Sequence, residues 1–537
     1  MMFSSFPKVK NPALPSSDPH LSEGKIPRRS NPTSFLSKMV FMLVMLMTMV
    51  SAEQNDCVCE YQPEVDYFPN KISPPHSTKF TIEYFNSYKK LTVMDGLNQY
   101  VTLAYLCGTP MPDVGNATAL VEIPIKSAAA TSIMYVSLLE YLGVRSSLHW
   151  VERPYDNFKP CLRKMYDQGQ VVDEVNFPKI NATAFERTGR ALDVVFMDRY
   201  SYKYGKLPLQ VNEQLNSTAI FVPEDLELTA FGKLDWLLFM SAFYNKERDV
   251  LQTFAQIESK YECVKSMVIR NPPLQSKKVL WGYCYYSIKT KRTDCYVAVC
   301  PNYYCDWIRD AGGDILVSKQ AVTPDELYAL AAQADVWIYT NSNWNESSTY
   351  SNAFFEGELK EKFSTLAVVQ NEQVYDMLGT SESDWFEDDK AEPVVMLMDL
   401  VQVLYGNEYE PLMATGRKPK FFRNVFTSPK AYQGERLAED CLDEATPVHG
   451  ESYLGFCALA ASPTLAPEPE LCIATIAPTD APTAPERSNG SFMWAFLLVL
   501  LMLTGVGAAA AAMGTWESRR RRYQQQQENQ VGLVDEF

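Results

Sequence analysis

The chain has 537 residues, of which 46% are hydrophobic and 21% are charged, a balance typical of globular rather than disordered proteins. Its formal net charge of −16 argues against nucleic-acid binding, because the neutralisation of phosphates needs a basic surface. The length alone indicates two or three compact units.

Two apolar runs predict how the chain relates to a membrane. Residues 39–50 follow several basic residues, precede small residues and are too few to span a bilayer, so residues 1–52 are predicted to be a signal peptide. An uncleaved signal anchor is the alternative. Residues 492–514 are long enough to span, and arginines follow them, which predicts a transmembrane helix with a cytosolic tail at 515–537. The chain is therefore predicted to be a single-pass type I protein of the plasma membrane or an endomembrane.

Features of secreted proteins occur between these two runs, which places this part of the chain on the extracellular or lumenal side. Sequons for N-glycosylation lie at Asn116, Asn181, Asn216, Asn345 and Asn489. All twelve cysteines lie in the same region, and an even number in an oxidising compartment predicts disulfides. The cysteines lack the paired C-x-x-C spacing of a zinc site, so no metal is expected.

The order of the predicted elements favours an α/β fold with two α/β lobes joined by one long helix. Buried parallel strands are predicted at 100–106, 148–151, 193–197, 278–282 and 335–339, and helices at 128–142, 182–192 and 324–333. Residues 232–265 contain no proline and predict one helix roughly 50 Å long. The predicted domains are a leader segment (53–94), an N-terminal lobe (95–230), the connecting helix (231–268), a C-terminal lobe (269–457) and a stalk rich in proline, threonine and alanine (458–491).

Several short segments between residues 95 and 425 occur in a recognisable order. They are residues 127–144, 185–195, 232–247, 310–313, 334–338, 371–375 and 384–393. Their order and spacing resemble the periplasmic-binding family whose lobes are joined by a single long helix, the cobalamin- and ferric-siderophore-binding proteins of bacterial importers. With a signal, sequons and a membrane anchor, the chain is similar to the cobalamin acquisition proteins of diatoms and related algae. The resemblance implies a receptor that binds cobalamin for uptake, with an uptake partner that the sequence does not identify.

The candidate ligand-binding residues are those expected to follow the strands, because ligands of open α/β sheets bind outside the carboxyl ends of the strands. In the N-terminal lobe they are Lys126, Ser127, Trp150, Arg153, Tyr155, Asp198, Arg199 and Tyr200. In the C-terminal lobe they are Tyr285, Tyr286, Tyr303, Tyr304, Asn343 and Trp344. The resemblance adds Trp385 and Phe386 as an aromatic wall. Trp281 and Trp337 lie inside predicted strands and are assigned to the core.

Three functions remain open at this point. Aromatic side chains would cover the flat corrin ring of cobalamin, whereas Arg153 and Arg199 would suit an anionic ferric siderophore or other iron complex. The third function is a protein-binding ectodomain without a small-molecule ligand. The sequence contains none of the common catalytic motifs for a nucleophilic serine, a zinc protease or a phosphate-binding loop, so an enzyme is not expected and no cofactor is predicted.

Overall fold

The computed structural model describes residues 57–96, 98–151, 159–172, 175–176, 179–180, 191–203, 207–287, 292–340, 360–377, 379, 388–409, 419–427, 441, 465–467 and 469. Within these ranges no helix is long and apolar enough to cross a membrane. The predicted signal peptide, transmembrane helix and cytosolic tail lie outside the described residues.

The described chain begins with a four-stranded sheet. Its strands are β1 (Phe80–Tyr84), β2 (Tyr88–Asp95), β3 (Asn98–Leu106) and β4 (Ala119–Ile123). The first three strands pair antiparallel in sequence order, and β4 adds parallel to β3. The leader predicted at 53–94 therefore contributes two strands to the fold. Burial alternates along β2, and Lys89 occupies one of the buried positions. A lysine at a buried position interrupts the alternation of apolar and polar residues by which a strand is predicted.

The N-terminal lobe contains a second, fully parallel sheet. Its strands, in the spatial order β10-β9-β5-β6, are β10 (Thr218–Phe221), β9 (Val194–Met197), β5 (Ala128–Ala130) and β6 (Leu148–Val151). Its helices are α1 (Met134–Tyr141), α2 (Pro160–Asp167), α3 (Arg199–Lys203) and α4 (Leu207–Leu215), and a small hairpin is formed by β7 (Val175–Asn176) and β8 (Lys179–Ile180). The helix predicted at 128–142 is wrong in its first part, because three alanines with high helix propensity form the buried central strand β5.

The predicted connecting helix is three helices rather than one. They are α5 (Ala230–Leu234), α6 (Trp236–Tyr244) and α7 (Glu247–Arg270). Asn245 ends α6 in the left-handed conformation, with φ 53° and ψ 39°, a geometry that asparagine tolerates better than most residues. The helix that continues to the C-terminal lobe is thus α7, whose 24 residues span about 36 Å rather than 50 Å.

The C-terminal lobe is built on a seven-stranded mixed sheet. Its strands are β11 (Lys278–Ser287), β12 (Arg292–Val297), β13 (Asp314–Ile315), β14 (Ala321–Val322), β15 (Val336–Ile338), β16 (Val374–Asp376) and β17 (Arg423–Asn424). Strand order is β14-β12-β11-β15-β16-β17, with β13 also pairing with β11. The parallel strands are β11, β13, β15 and β16, as expected for an α/β lobe. The helices are α8 (Tyr303–Asp310), α9 (Pro324–Ala331), α10 (Lys360–Phe363), α11 (Ala367–Gln370) and α12 (Pro393–Tyr405).

One large hydrophobic core contains residues of both lobes. It contains Phe80 of the first sheet, Phe196 of the second, Trp236, Val264 of α7 and Leu400 of α12. Disulfides join Cys57 to Cys107, Cys161 to Cys441, Cys284 to Cys295 and Cys300 to Cys305. The structure is therefore a mixed α/β protein in which the two lobes share packing, and it contains disulfides, as the sequence predicts.

Candidate functional site

The carboxyl ends of β5 and β9 carry a compact cluster of hydroxyl groups around one carboxylate. Thr131 follows β5, and its hydroxyl donates to Oδ2 of Asp198, which follows β9, at 2.6 Å. Ser201 donates to the same carboxylate from its hydroxyl, at 2.5 Å, and from its backbone N–H, at 2.9 Å. Asp198 thus lies at the predicted edge of the sheet, where its bonds fix the start of α3.

Two further predicted residues follow Asp198 on α3. Arg199 pairs with Asp225, with 2.6 Å between Nη2 of the arginine and Oδ2 of the aspartate, and both side chains are more than a third exposed. Tyr200 is 50% exposed. Because the charge of Arg199 is compensated by Asp225, this arginine adds little net positive charge at the edge.

Lys126 and Ser127 were predicted to follow a strand of this sheet, but they lie at its opposite end. They precede β5, and the backbone N–H groups of both donate to Oδ2 of Asp193, which precedes β9. This is the amino edge of a parallel sheet, where ligands of α/β folds are not found. The prediction was wrong because it did not recognise the three-residue strand β5 and assigned the segment before it to a strand end.

Trp150 was also predicted to be a ligand-binding residue, but the structure places it in a core. Its side chain is 2% exposed and packs in a small core with Val195, Met197 and Leu207. The tryptophan therefore belongs to the packing beneath the second sheet.

The C-terminal lobe contains a pocket of about 380 Å³, here called the aromatic pocket. It is lined by Trp281, Gly282, Tyr283, Tyr296, Val297, Ala298, Val299, Cys300, Pro301, Asn302, Tyr304, Gln320 and Thr340. Trp281 packs on Tyr304 with 4.5 Å between ring centroids, and Thr340 follows β15 at its carboxyl end. The volume falls within the range of small-molecule sites, roughly 300–1,000 Å³.

Local structure fixes the shape of the aromatic pocket. The Cys284–Cys295 disulfide ties β11 to β12, and the Cys300–Cys305 disulfide closes the turn that leads into α8. Asn302 caps α8 by accepting a hydrogen bond from the backbone N–H of Tyr304 at 3.0 Å. The aromatic walls are therefore held before any ligand binds, which lowers the ordering cost of binding.

The predicted aromatic residues relate to this pocket in different ways. Tyr304 lines it, and the hydroxyl of its neighbour Tyr303 donates to the Tyr304 hydroxyl at 2.8 Å. Tyr285 and Tyr286 lie on β11 beyond the pocket residue Tyr283. The remaining predicted ligand residues, Arg153, Tyr155, Asn343, Trp344, Trp385 and Phe386, lie outside the described residues.

Three aromatic residues of the pocket were missed by the sequence reasoning. Trp281 was assigned to the core and does contact it, but it also lines the pocket at the point where β11 leaves the buried part of the sheet. Tyr283 and Tyr296 face each other across β11 and β12, with ring centroids 5.9 Å apart. The alternating aromatic residues from Trp281 to Tyr285 were the available signal, because alternate residues of a strand share one face. Trp337 lies fully in the core, as predicted.

A buried charged cluster connects the aromatic pocket to the N-terminal lobe. Nζ of Lys233, on α5, donates to Oε2 of Glu224 at 3.0 Å and lies 4.9 Å from the ring centroid of Tyr303. Asp389 is fully buried, and burial raises the pKa of its carboxyl to about 6 despite the ammonium of Lys390 at 2.5 Å. Burial and the neighbouring carboxylate of Asp389 also raise the pKa of Tyr304, which is therefore a neutral hydroxyl at pH 7.

A second charged cluster, the interlobe ion network, joins the lobes directly. Its members are Glu140, Arg145, Lys159, Asp388, Glu392 and Lys420. Asp388 of the C-terminal lobe lies 2.7 Å from Nζ of Lys159 of the N-terminal lobe and 2.7 Å from Nζ of Lys420. Burial alone would raise the pKa of Asp388, but the two lysines hold it well below its usual range. Asp388 therefore stays charged at physiological pH and links the lobes through buried ion pairs.

The sequence predicts glycosylation at five asparagines and no metal site. Within the described part of the chain, no group of three or more His, Cys, Asp or Glu residues could hold a metal ion. Asn116 and Asn216 are both exposed, so an oligosaccharide could reach them. Asn181, Asn345 and Asn489 lie outside the described residues, and glycosylation at all five positions stays a prediction.

Comparison with known proteins gives distant similarities. No family model matches the chain. It is 22% identical over 325 residues to an uncharacterized lipoprotein of Methanocaldococcus jannaschii, in an alignment that covers 58% of this chain and 71% of the relative. A possible iron-binding (periplasmic solute-binding) protein from Staphylococcus epidermidis superposes with a TM-score of 0.39 at 13% identity, over 52% of this chain and 99% of the other. A periplasmic binding protein from Veillonella parvula gives a TM-score of 0.40 at 11% identity, over 53% and 87% of the two chains. At these values the similarities carry no argument about ligand or activity.

Proposed function

We propose that the protein is an extracytoplasmic receptor, anchored by one C-terminal transmembrane helix, that binds a cobalamin at the aromatic pocket for uptake. The observation that carries the proposal is the pocket itself, a space of about 380 Å³ walled by four aromatic side chains. It lies at the carboxyl end of β15, the edge at which α/β sheets bind their ligands. This position supports a ligand-binding role for the pocket.

The chemistry of the walls supports a large, flat, largely uncharged ligand. Trp281, Tyr283, Tyr296 and Tyr304 present ring faces that lose little conformational entropy on binding. The ammonium of Lys233, which lies against Tyr303, is compensated within the protein because it pairs with Glu224. This compensated charge suits a corrin better than a strongly anionic siderophore.

The neighbouring N-terminal lobe supports a site that both lobes complete. Tyr303, next to the pocket residue Tyr304, contacts Lys233 of α5. Because Tyr303 neighbours the pocket residue Tyr304, a ligand that fills the pocket would lie close to α5. The pocket would hold one part of a ligand as large as cobalamin, and the N-terminal lobe would cover another part.

Equilibrium dialysis tests the proposal and identifies the ligand. Residues 53–490, secreted from a eukaryotic host, retain all twelve cysteines. The protein is dialysed against a mixture of cyanocobalamin and ferric hydroxamate and catecholate siderophores, and bound cobalt and iron are measured by mass spectrometry. Saturable binding of about one cobalt per protein is expected. Binding of iron alone would indicate a receptor for iron complexes. Binding of neither metal by folded protein would favour the protein-binding function.

A further inference from the structure

The N-terminal segment holds a short piece of the proline-rich region through a reciprocal pair of hydrogen bonds. The backbone N–H of Ala466 donates to Oδ1 of Asn70 at 2.9 Å, and Nδ2 of Asn70 donates to the carbonyl of Ala466 at 3.2 Å. The amide of asparagine carries a donor and an acceptor side by side, as a peptide unit does. It therefore forms hydrogen bonds with the backbone of an extended peptide, whatever side chain the peptide carries.

The peptide lies against a groove that matches a proline-containing chain. Pro469 shares a gap of about 20 Å³, enough for one water molecule, with Tyr67, Phe68, Asn245 and Glu247. Pro467 and Pro469 restrict the backbone of this segment to extended conformations before it binds. The segment consequently loses little entropy on docking, which is why proline-rich peptides suit aromatic-lined grooves.

The floor of the groove is the joint between α6 and α7. Asn245, which ends α6 in the left-handed conformation, accepts a hydrogen bond from Nζ of Lys89 at 3.1 Å. The same ammonium lies 2.5 Å from the carboxylate of Glu247, the first residue of α7, and 4.5 Å from the ring centroid of Phe68. The docked segment thus covers the point at which the helix that leads to the C-terminal lobe begins.

We propose that residues 465–467 and Pro469 form a strap that docks in this groove and restrains the α6–α7 joint. The composition of residues 458–491 predicts a free stalk, but the strap fixes part of it to the N-terminal segment. Restraint of the joint links the predicted stalk to the base of α7 and so to the relative motion of the lobes.

Limited proteolysis of the full chain in detergent micelles tests the docking. A protease that cuts after glutamate has one site beside the strap, at Glu470, and a reference site farther along the predicted stalk, at Glu486. Loss of the two Asn70 hydrogen bonds in Asn70→Ala should increase cleavage after Glu470 about 5–10-fold, because cleavage follows the population of the released strap. Cleavage after Glu486 should not change.

Two matched variants keep the test independent of folding. Asn86→Ala removes an exposed asparagine of the same segment, whose Nδ2 donates to the carbonyl of Pro63, and should leave cleavage after Glu470 at the wild-type rate. Ala466→Pro removes the strap's own donor without touching the folded body, and should reproduce the Asn70→Ala increase. Equal cleavage after Glu470 in wild type, Asn70→Ala and Ala466→Pro would overturn the docking.

Hydrogen exchange tests the effect on the joint. In both strap variants the amides of residues 245–250 should exchange about 5–10-fold faster than in wild type, while those of the middle of α7 stay unchanged. Strap release without faster exchange at 245–250 would overturn the proposed restraint of the α6–α7 joint.

Discussion

Removal of one charge from the interlobe ion network should cost more stability than any exposed charge in the protein. Asp388→Asn changes a carboxylate that accepts hydrogen bonds from Ser137 at 2.8 Å, from Lys159 at 2.7 Å and from Lys420 at 2.7 Å. Asp388 pairs with both Lys159 and Lys420, so the substitution removes a carboxylate that compensates two ammonium groups. Removal of one partner from a buried pair costs about 3–5 kcal/mol.

The expected loss can be measured by urea and thermal unfolding of residues 53–490 with disulfides intact. With roughly 2.1 cal/mol/K of unfolding entropy per residue over about 400 folded residues, a loss of 3–5 kcal/mol lowers the melting temperature by about 4–6 °C. Asp325→Asn is the matched control, since Asp325 pairs with Lys362 but its side chain is 86% exposed. This control should lose no more than about 1 kcal/mol.

The reasoning would be refuted by equal stability of Asp388→Asn and Asp325→Asn. A double-variant cycle with Lys159→Met then locates the interaction. If Asp388 and Lys159 act together across the lobes, the two substitutions should be non-additive by about 0.5–3 kcal/mol. Additive effects would mean that Asp388 acts only within its own lobe.

Three further predictions concern other buried groups. Lys89→Met leaves Glu247 buried without its ammonium and should lower the free energy of unfolding by about 3–5 kcal/mol in urea, whereas Lys90→Met, which breaks an exposed pair with Glu83, should change it by less than about 1 kcal/mol. Burial raises the pKa of Asp389 to about 6, above its unfolded value, so the fold favours the protonated acid; this contribution is complete below about pH 4 and is lost as pH rises through 6. Asp389→Asn should therefore be about 2–3 kcal/mol more stable than wild type at pH 7 and no more stable at pH 4. The same difference in unfolding free energy between variant and wild type at both pH values would contradict this. Tyr304→Phe keeps the ring beside Trp281 but removes the hydroxyl that accepts from Tyr303, and should cost about 1 kcal/mol of stability in thermal unfolding; a loss above 3 kcal/mol would show that the hydroxyl has a further role.

Much of the secondary structure could be predicted because single segments carried clear patterns. Apolar runs predict the strands at 148–151 and 336–338. The helix Pro324–Ala331 has a further signal, a threonine cap with Glu326 three residues later. The central strand β5 could not be predicted in this way. Its three alanines favour a helix, and only the pairing with β6 and β9 on either side makes them a strand.

The break in the predicted connecting helix has a similar origin. Residues 232–265 read as one helix because they lack proline, and one left-handed asparagine carries no signal of comparable strength. The buried pair of Lys89 and Glu247 stabilises that break from a distant part of the chain. Contacts between residues 158 positions apart are beyond the reach of local periodicity.

The positions of the candidate site residues could be predicted only in part. The rule that ligands lie at the carboxyl ends of parallel strands located Asp198 at such an edge, whereas Tyr304 follows β12, which pairs antiparallel. It misplaced Lys126 and Ser127 because the strand between them and the true edge was not recognised. The pocket walls Trp281 and Tyr296 depend on the antiparallel pairing of β11 with β12, which neither residue's own sequence context reveals.

The dissociation constant of cyanocobalamin for two matched tyrosine variants tests the central claim most directly. Tyr296 is a half-buried wall of the aromatic pocket, and Tyr328 is a half-buried tyrosine on α9 that does not line it. By calorimetric titration, Tyr296→Ala should weaken binding about 10-fold or more, since a well-placed aromatic contact contributes on the order of 1–3 kcal/mol, while Tyr328→Ala should bind like wild type. Equal affinities for the wild type and both variants would show that cyanocobalamin does not occupy the aromatic pocket.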